Sequence, residues 1–335
     1  MATIKDIAAR SGLSIATVSK RINGIPVSEE SRRRIDEAIE ALGYQVNAAA
    51  RTLKTRRSMT IGILLDSLAN LFYTAVISEA EELLLQRGYT ALLFETKDSP
   101  EREEQGLALF RAKSVDGVLY FSSHSRPALI RSCLKLKLPI VTVDSIAAGT
   151  PEADFVVTDN AAAASGAVGL LLEKGHREIG VITGGEGHFS AGERLRGCRE
   201  ALSRAGRPLR EEWTLRDAYT IDGGYRCANR LLALPARPTA LVICNYFMAL
   251  GTVMALNEQN VRVPDELSLL SFDDFEWINA LRPRLTTVSQ QAARIAGEAV
   301  GCLLARIGGS TEPGKVLLIP TTLTERDSIL PRPIL

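Results

Sequence analysis

The stretch of sequence that decides the fold of the amino-terminal part is residues 3–24, which read Thr-Ile-Lys-Asp-Ile-Ala-Ala-Arg-Ser-Gly-Leu-Ser-Ile-Ala-Thr-Val-Ser-Lys-Arg-Ile-Asn-Gly. Thr3 and Asp6 form a variant of the capping box that begins a helix, and Gly12 ends it. Ser14 begins a second helix, which ends at Asn23 and Gly24. Two short helices joined by a glycine-containing turn predict a helix-turn-helix.

Two further segments extend this pattern. Ser28 begins a third helix with Ile35, Ile39 and Leu42 on one face, so the three helices predict one small core. Residues 47–54 favour a short helix that is only marginally stable alone in water. Its single large apolar side chain, Leu53, is either a packing residue or a wedge between base steps of a minor groove.

The distribution of charge along the chain indicates which kind of molecule the protein binds. The formal net charge is +1, but residues 1–60 hold 11 basic and 6 acidic residues, a net +5, so the other 275 carry a net −4. The second helix adds hydroxyls and an amine, which suit either water or DNA phosphates and base edges. A small basic head on an acidic body therefore favours double-stranded DNA as a partner.

The composition and the cysteine spacing narrow the possible classes of protein. Residues 1–335 contain no apolar run of about 18 residues that would span a bilayer, and the amino end lacks a signal-peptide pattern. The five cysteines are never closer than 17 residues and have no metal-ligand spacing. We expect a cytoplasmic protein with free thiols, no membrane partner, no metal and no cofactor.

The head closely resembles the lactose/galactose repressor family, through residues 3–24, Val27-Ser-Glu-Glu and Leu42-Gly-Tyr-Gln-Val-Asn-Ala-Ala-Ala-Arg-Thr-Leu-Lys. The resemblance implies that Ile15, Ala16 and Lys20 read major-groove bases. It places Ser14, Thr17, Ser19 and Asn23 at positions that contact phosphates or orient the helix. It also implies a DNA-contacting hinge with Ala50, Arg51 and the inserted Leu53. Lys20 stands where the family commonly has arginine, which leaves its preferred base open.

From residue 61 onward, short β-rich runs alternate with helical patterns. Strands are predicted at 61–65, 90–94, 117–121, 140–143, 155–157, 179–183, 240–244 and 267–272. About ten such units predict two doubly wound lobes. The fold class is therefore a small all-α helix-turn-helix head, joined by a hinge helix to an α/β two-lobed sensor domain that resembles the periplasmic sugar-binding proteins.

Ligands of such sheets bind where the strands end, so polar and aromatic residues at those points are candidates. Strand-end residues include Asn70, Phe72, Tyr73, Asp144, Asp159, Asn245, Asp273 and Asp274. The family resemblance implies effector contacts by Arg194, Asn245, Asp273 and Gln290, with Phe72 and Tyr219 as aromatic cleft residues. The predicted effector site is Asn70, Phe72, Tyr73, Arg194, Tyr219, Asn245, Asp273 and Gln290.

The chain departs from the family pattern at three places. Tyr246 follows Asn245 where an aspartate is usual, Asp66-Ser67 replaces Pro-Asp, and Cys198 follows Gly197 in place of phenylalanine. The first two changes could reshape the cleft, so the effector cannot be copied from a relative.

The predicted domains are 1–46 for DNA binding, 47–59 for the hinge, and 60–335 for effector binding and dimerisation. Lobe 1 spans about 60–160 plus 291–320, and lobe 2 about 161–290 plus 321–335. The predicted function is a sequence-specific repressor that binds a near-palindromic operator as a homodimer. A small effector, a sugar or sugar derivative, would control its affinity. The sequence leaves inducer and corepressor open.

Two other classes compete with this interpretation. A sugar-binding or transport-associated protein without DNA function would not need the basic head. A carbohydrate-modifying enzyme of the same fold class would need catalytic residues, and the motifs for these are weak: Gly185-Glu-Gly-His-Phe-Ser190 only begins like a dinucleotide loop, and three histidines lie far apart in sequence. We therefore predict a regulator with no catalytic residues.

Overall fold

A computed structural model describes residues 2–22, 25–44 and 57–333. The chain divides into two compact units, Met1–Met59 and Thr60–Leu335. Most of the predicted hinge, including Ala50, Arg51 and Leu53, lies outside the described residues, as does Asn23. Within the described ranges, no helix is both long and apolar enough to cross a membrane.

The described residues of the first unit form three helices, α1 (Ile4–Ser11), α2 (Ile15–Ile22) and α3 (Glu29–Leu42). Helix α1 begins with a full capping box, in which Asp6 N donates to Thr3 Oγ1 at 3.4 Å and Thr3 N donates to Asp6 Oδ2 at 2.8 Å. Gly12 ends it in the left-handed region at φ 65°. The core consists of one apolar face from each helix: Ile7, Ala8, Val18, Ile35 and Ala38.

The second unit contains two six-stranded sheets. The first has the order β11-β5-β4-β3-β1-β2, with every neighbouring pair parallel. Its strands are β1 (Thr60–Leu65), β2 (Thr90–Glu95), β3 (Gly117–Phe121), β4 (Ile140–Val143), β5 (Asp154–Thr158) and β11 (Val316–Ile319). Its helices are α4 (Leu71–Gln86), α5 (Pro100–Ala112), α6 (Pro127–Lys135) and α11 (Ala292–Ile307).

The second sheet has the order β12-β10-β9-β8-β6-β7, and only the pair β10–β12 is antiparallel. Its strands are β6 (Ile179–Gly184), β7 (Thr214–Asp217), β8 (Ala240–Ile243), β9 (Ser268–Phe272), β10 (Thr286–Ser289) and β12 (Thr322–Thr324). Its helices are α7 (Asn160–Glu173), α8 (Phe189–Arg204), α9 (Ile221–Leu232) and α10 (Tyr246–Glu258). The chain passes between the lobes after β5, after β10 and after β11.

The predicted fold class is confirmed, and all eight predicted strands are present with ends that differ by no more than one residue. Strands β7, β10, β11 and β12 were not among the predicted strands; β7, β11 and β12 lie at sheet edges, whereas β10 lies between β9 and β12. Strands β7, β10 and β12 each contain a single apolar residue and so lack the continuous apolar run that marks a central parallel strand, whereas β11 does contain such a run, Val-Leu-Leu-Ile.

The helices of the second lobe pack closely through glycine. A Cβ atom on Gly251 of α10 would overlap the carbonyl oxygen of Ile221, and one on Gly197 of α8 would overlap that of Ala161. Helix α8 follows β6 and helix α10 follows β8 along the chain, so the amino ends of both helices lie near the ends of these strands, where the cavity lies.

Candidate functional site

A cavity of about 750 Å³ lies between the two lobes, where strands of both sheets end. Its volume is in the range of small-molecule sites. It is lined by all eight residues predicted for the effector site: Asn70, Phe72, Tyr73, Arg194, Tyr219, Asn245, Asp273 and Gln290. Residues separated by up to 220 positions therefore meet around one volume.

Two asparagines each combine a structural role with an open donor group. Asn70 Oδ1 accepts hydrogen bonds from Phe72 N at 3.1 Å and Tyr73 N at 3.4 Å, which caps α4. Asn245 Oδ1 caps α10 in the same way. Helix capping uses the carbonyl oxygen of each amide. The NH₂ group of each side chain therefore remains as a donor at the cavity wall.

Arg194 lies on α8 and is only 3% exposed. Its Nε donates to Asn160 Oδ1 at 2.7 Å, and its Nη1 donates to the carbonyl oxygen of Cys244. The guanidinium stacks on the ring of Phe272 at 4.2 Å from the ring centre. These contacts hold the charge at a fixed place, and among the described residues Nη2 has no hydrogen-bond partner.

Each sheet contributes an aspartate at the same place in its strand order. Asp144 follows β4 and Asp273 follows β9, with φ values of 73° and 70° in the left-handed region. Such backbone strain at non-glycine residues is concentrated at functional sites. Burial raises the pKa of Asp144 to about 7, against the lowering effect of Arg194 and of the Tyr73 hydroxyl, which donates to Asp144 Oδ2 at 3.0 Å.

Gln290 connects the two lobes beside these aspartates. Its Nε2 donates to Asp273 Oδ1 at 2.7 Å, and its Oε1 accepts from Thr158 Oγ1 at 2.6 Å. The two hydrogen bonds fix the orientation of the amide. Gln290 therefore links Asp273 in the second lobe to Thr158 at the end of β5 in the first lobe.

A third carboxylate, Asp66, also lines the cavity and is 7% exposed. Its Oδ2 accepts from Ser123 N at 2.8 Å and Ser123 Oγ at 2.9 Å. Burial raises its pKa despite these hydrogen bonds. Asp66 was noted in the sequence only as a departure from the family pattern, and Asp144 only as a strand-end residue; neither was included in the predicted effector site.

Besides Gln290, the side chains of His124, His188 and Tyr246 also join the lobes across the cleft, and the contact between the two histidines was not predicted. The rings of His124 and His188 lie 4.3 Å apart, and Phe189 N donates to the Ser123 carbonyl oxygen at 2.9 Å. The Tyr246 hydroxyl accepts from Leu71 N at 2.9 Å and donates to the Ala69 carbonyl oxygen at 3.3 Å. Tyr246, a departure from the family pattern, is thus an interlobe contact.

Other strand-end residues have structural roles. Both carboxylate oxygens of Asp274 accept from Arg326 Nη2, at 2.9 and 2.7 Å, and Asp159 caps α7. His176 is fully buried beside Thr239, and burial lowers its pKa to about 4. Asp66, Asp98 and His124 have ligand atoms within 4.8 Å of one another. Arg126 already lies 2.9 Å from the same Asp98 oxygen as His124, which opposes a cation there.

The second helix of the head presents the predicted DNA-reading side chains to solvent. Ile15 is 50% exposed although it is a large apolar residue, and Ala16 and Lys20 are also exposed. Ser14 Oγ accepts from Thr17 N at 3.1 Å and so caps α2. The same helix buries Val18 in the core. Its outer face is therefore available for a partner, while Thr17 and Ser19 lie half-buried at the margin.

Fold and site together define a class: a helix-turn-helix DNA-binding head joined to a two-lobed small-molecule sensor. A family model described as "Bacterial regulatory proteins, lacI family" matches residues 3–47, and one described as "Periplasmic binding protein-like domain" matches residues 168–329. The chain belongs to the LacI family of DNA-binding repressors and is not an enzyme. The resemblance inferred from the head is confirmed, and the transport and enzyme alternatives are excluded.

Three relatives illustrate this membership. The chain is 35% identical over 339 residues to the HTH-type transcriptional repressor PurR of Erwinia tasmaniensis, covering 99% of this chain and 98% of that protein. It is 34% identical over 331 residues to the ribose operon repressor of Haemophilus influenzae, covering 98% and 99%. A solved complex of the transcriptional regulator CelR with cellobiose is 28% identical, with a TM-score of 0.76 and coverage of 98% and 100%.

Proposed function

We propose that this chain is a homodimeric repressor whose operator affinity is controlled by a sugar or sugar derivative bound between the lobes. The observation that carries the proposal is the convergence of the eight predicted effector residues on one cavity. A chance set of strand-end residues would be divided between capping, ion pairs and the surface, as Asp159 and Asp274 are.

The chemistry of the cavity suits a polyhydroxylated ring. Adjacent hydroxyls of a sugar are bound by planar groups that donate or accept twice, such as carboxylates, amides and guanidinium. Asp144 and Asp273 supply acceptors, Asn70 and Asn245 supply NH₂ donors, and Arg194 supplies Nη2. The rings of Phe72 and Phe247 line the same volume and can cover an apolar C–H face. Relatives whose names include ribose and cellobiose fit this class.

The DNA-binding half of the proposal rests on α2. Ile15, Ala16 and Lys20 would contact base edges, and Ser14, Thr17, Ser19 and Asn23 would contact phosphates or orient the helix. Ala50, Arg51 and Leu53 of the hinge would contact the operator centre. Two heads in one dimer would then bind the two halves of a near-palindromic operator.

The switch would follow from hinge closure of the two lobes around the ligand. A ligand that contacts both lobes prefers the closed arrangement and shifts the population toward it. The resulting coupling between effector and operator is typically about 1–3 kcal/mol. Whether the ligand induces or corepresses depends on which lobe arrangement binds the operator.

A purine base is a second candidate, because several relatives at 33–35% identity are named PurR. Aromatic residues around the cavity could stack on a flat heterocycle, with amide and carboxylate groups at its edge. The two candidates differ in their polar geometry, since a sugar presents hydroxyls around a ring and a purine presents donors and acceptors in one plane.

A thermal-shift screen of the full chain against sugars and purine bases tests the proposal, because a ligand that binds only the folded state raises the melting temperature. Hits are then added to a gel shift with operator DNA. We expect a sugar to raise the melting temperature and to change operator affinity at least fivefold. A response to purines alone would replace the sugar assignment, and a ligand without effect on DNA binding would contradict effector control.

A further inference from the structure

We infer that the cavity selects its effector by charge: it accepts a neutral compound or its amine derivative and rejects compounds that carry phosphate or carboxylate. The inference rests on the proposed function, since it assumes that the cavity holds the effector. It adds the chemical class of that effector.

The side chains that line the cavity are unbalanced in charge. Six of them are carboxylic acids and two are cationic. The acids are Asp66, Glu95, Asp98, Asp144, Asp222 and Asp273, and the cations are Lys97 and Arg194. Acids occur on both lobes, so an anion in the cavity would face carboxylates on both sides.

Arg194 cannot offset a bound anion as a free arginine would. Two of its nitrogens are already used by Asn160 and Cys244, and the nearby charges of Asp144 and Asp273 favour its charged form. Bidentate binding of a phosphate or carboxylate needs two nitrogens of one guanidinium. Nε is already used by Asn160, so the side-on fork of Nε with one Nη is closed to a ligand, and Nη1 of the end-on fork is shared with the Cys244 carbonyl oxygen.

The other cations are equally committed or remote. Lys97 is exposed and adjoins Asp98, so solvent screens its charge. Arg126 pairs with the cavity residue Asp98 at 2.9 Å and with Glu103 at 3.4 Å. A ligand anion would therefore displace an existing ion pair or be left without a cation.

Buried like charges repel strongly because protein screens them less than water does. Asp66, Asp144 and Asp273 are each no more than 7% exposed. An amine on the ligand would relieve their mutual repulsion, whereas a phosphate would add to it. We expect anionic derivatives to bind at least 100-fold more weakly than their neutral parents.

The experiment is a matched calorimetric series with the full chain at pH 7.5. Three sugar sets are used, based on ribose, glucose and galactose, each with the parent and its phosphate; the hexose sets also include the 2-amino sugar and the uronic acid. A purine set compares inosine with inosine 5′-monophosphate and adds hypoxanthine as the free base. The inference is supported if a neutral or amine member of a set binds and the anionic members of the same set bind at least 100-fold more weakly.

Each other outcome decides a different point. An anionic member whose affinity is within tenfold of that of its parent, or higher, overturns the charge rule, that is, the rejection of anionic compounds by the cavity. Binding of hypoxanthine without any sugar overturns the proposed sugar effector and leaves the charge rule standing. If no neutral or amine member of any set binds, the charge rule is also overturned, because it requires such a ligand.

The variant Asp66→Asn separates the effect of the cavity's charge from the effect of its shape. In Asp66→Asn the amide oxygen can still accept from Ser123, so the fold of the loop is kept while one buried negative charge is removed. We expect the ratio of neutral to anionic affinity to fall at least fivefold in this variant. Glu211→Gln, a surface variant whose carboxylate pairs with Arg199, should leave the ratio unchanged. An unchanged ratio in a folded Asp66→Asn protein contradicts the inference.

Discussion

The outer face of α2 and the interlobe cavity are both candidate binding sites, yet they are built in opposite ways. The α2 site consists of neighbours in sequence, Ser14 to Lys20, whose positions follow from helical geometry alone. The cavity collects residues from Asp66 to Gln290, whose positions follow from the order of strands in two sheets.

The difference also affects what each residue does for stability. Side chains such as Ile15 and Lys20 on α2 are exposed and support little of the fold. The side chains of the predicted effector site are buried or half-buried, and several of them also cap helices or hold neighbouring carbonyl groups. Substitution on α2 should therefore alter binding alone, whereas substitution in the cavity should alter binding and stability together.

The largest expected effect is that of Arg194→Ala. The change removes a buried cation and leaves Asn160 Oδ1 and the Cys244 carbonyl without a donor, which costs about 3–5 kcal/mol of unfolding free energy. Effector affinity should fall at least 100-fold, while operator binding persists at temperatures where the variant is folded. Calorimetry, denaturant unfolding and gel shifts measure these effects.

Arg196→Ala on the same helix is the matched control, because Arg196 pairs with Glu193 and Glu200 at the surface. It should keep effector affinity within twofold. Wild-type affinity in Arg194→Ala would remove this residue from the effector site.

Asp144→Asn should produce the next largest effect, and it depends on pH. Burial raises the pKa of Asp144 to about 7 in the folded chain from its ordinary value of 3.8. The unfolded chain therefore releases this proton first as pH rises, and the native protein loses stability between about pH 4 and pH 7. Asparagine carries no such proton, so the variant should be the more stable protein at pH 8, by on the order of 4 kcal/mol.

Denaturant unfolding at pH 4, 6 and 8 measures this difference. Asp217→Asn is an opposite-sign control, because hydrogen bonding to Arg226 lowers the pKa of Asp217, so its loss should destabilise the protein at neutral pH. Equal stability of Asp144→Asn and the native chain at all three pH values would contradict the raised pKa of Asp144.

Ile15→Ala tests the other site of the comparison. Since Ile15 is half exposed, its truncation should change the melting temperature by less than about 2 °C. Loss of apolar contact to base edges should weaken operator binding about tenfold, as measured by gel shift. Arg33→Ala, on the exposed face of α3, serves as the control and should cost less than threefold. Unchanged operator affinity in Ile15→Ala would place base reading elsewhere.

The smallest expected effect is that of Tyr246→Phe. It removes one hydroxyl that accepts from Leu71 N and donates to the Ala69 carbonyl oxygen. A net loss of about 0.5–1.5 kcal/mol from the closed arrangement should weaken effector binding about threefold to tenfold. Tyr225→Phe, at an exposed hydroxyl that contacts Glu258, is the control. If both variants keep full affinity, Tyr246 does not stabilise closure.

The head, the cavity and the edge strands could be predicted from the sequence to different extents, and the reasons are physical. The head could be predicted in detail because caps such as Thr3 and Ser14 act within one turn of a helix. The cavity could be predicted in outline because strand ends meet at one edge of a parallel sheet. The edge strand β7 could not be predicted, because its residues lack an apolar run.

The contact between His124 and His188 could not be predicted either. Nothing in 63 intervening residues indicates that two loops of different lobes meet. The roles of Asp144 and Asp274 were similarly undecided, since both follow a strand. Their partners in the fold distinguish them. Asp144 accepts from Tyr73 at the cavity, whereas Asp274 forms a structural ion pair with Arg326.

The side chains that join the lobes have a consequence for rates as well as affinities. Tyr246 and the histidine pair connect the lobes through protein atoms alone, so full opening of the cleft requires these contacts to break. Both entry and escape of a ligand then include the same opening step, and weakening that step accelerates both. Tyr246→Phe should therefore shorten the residence time of the effector by a larger factor than it weakens binding, which makes this tyrosine a determinant of how quickly the repressor responds when its effector disappears.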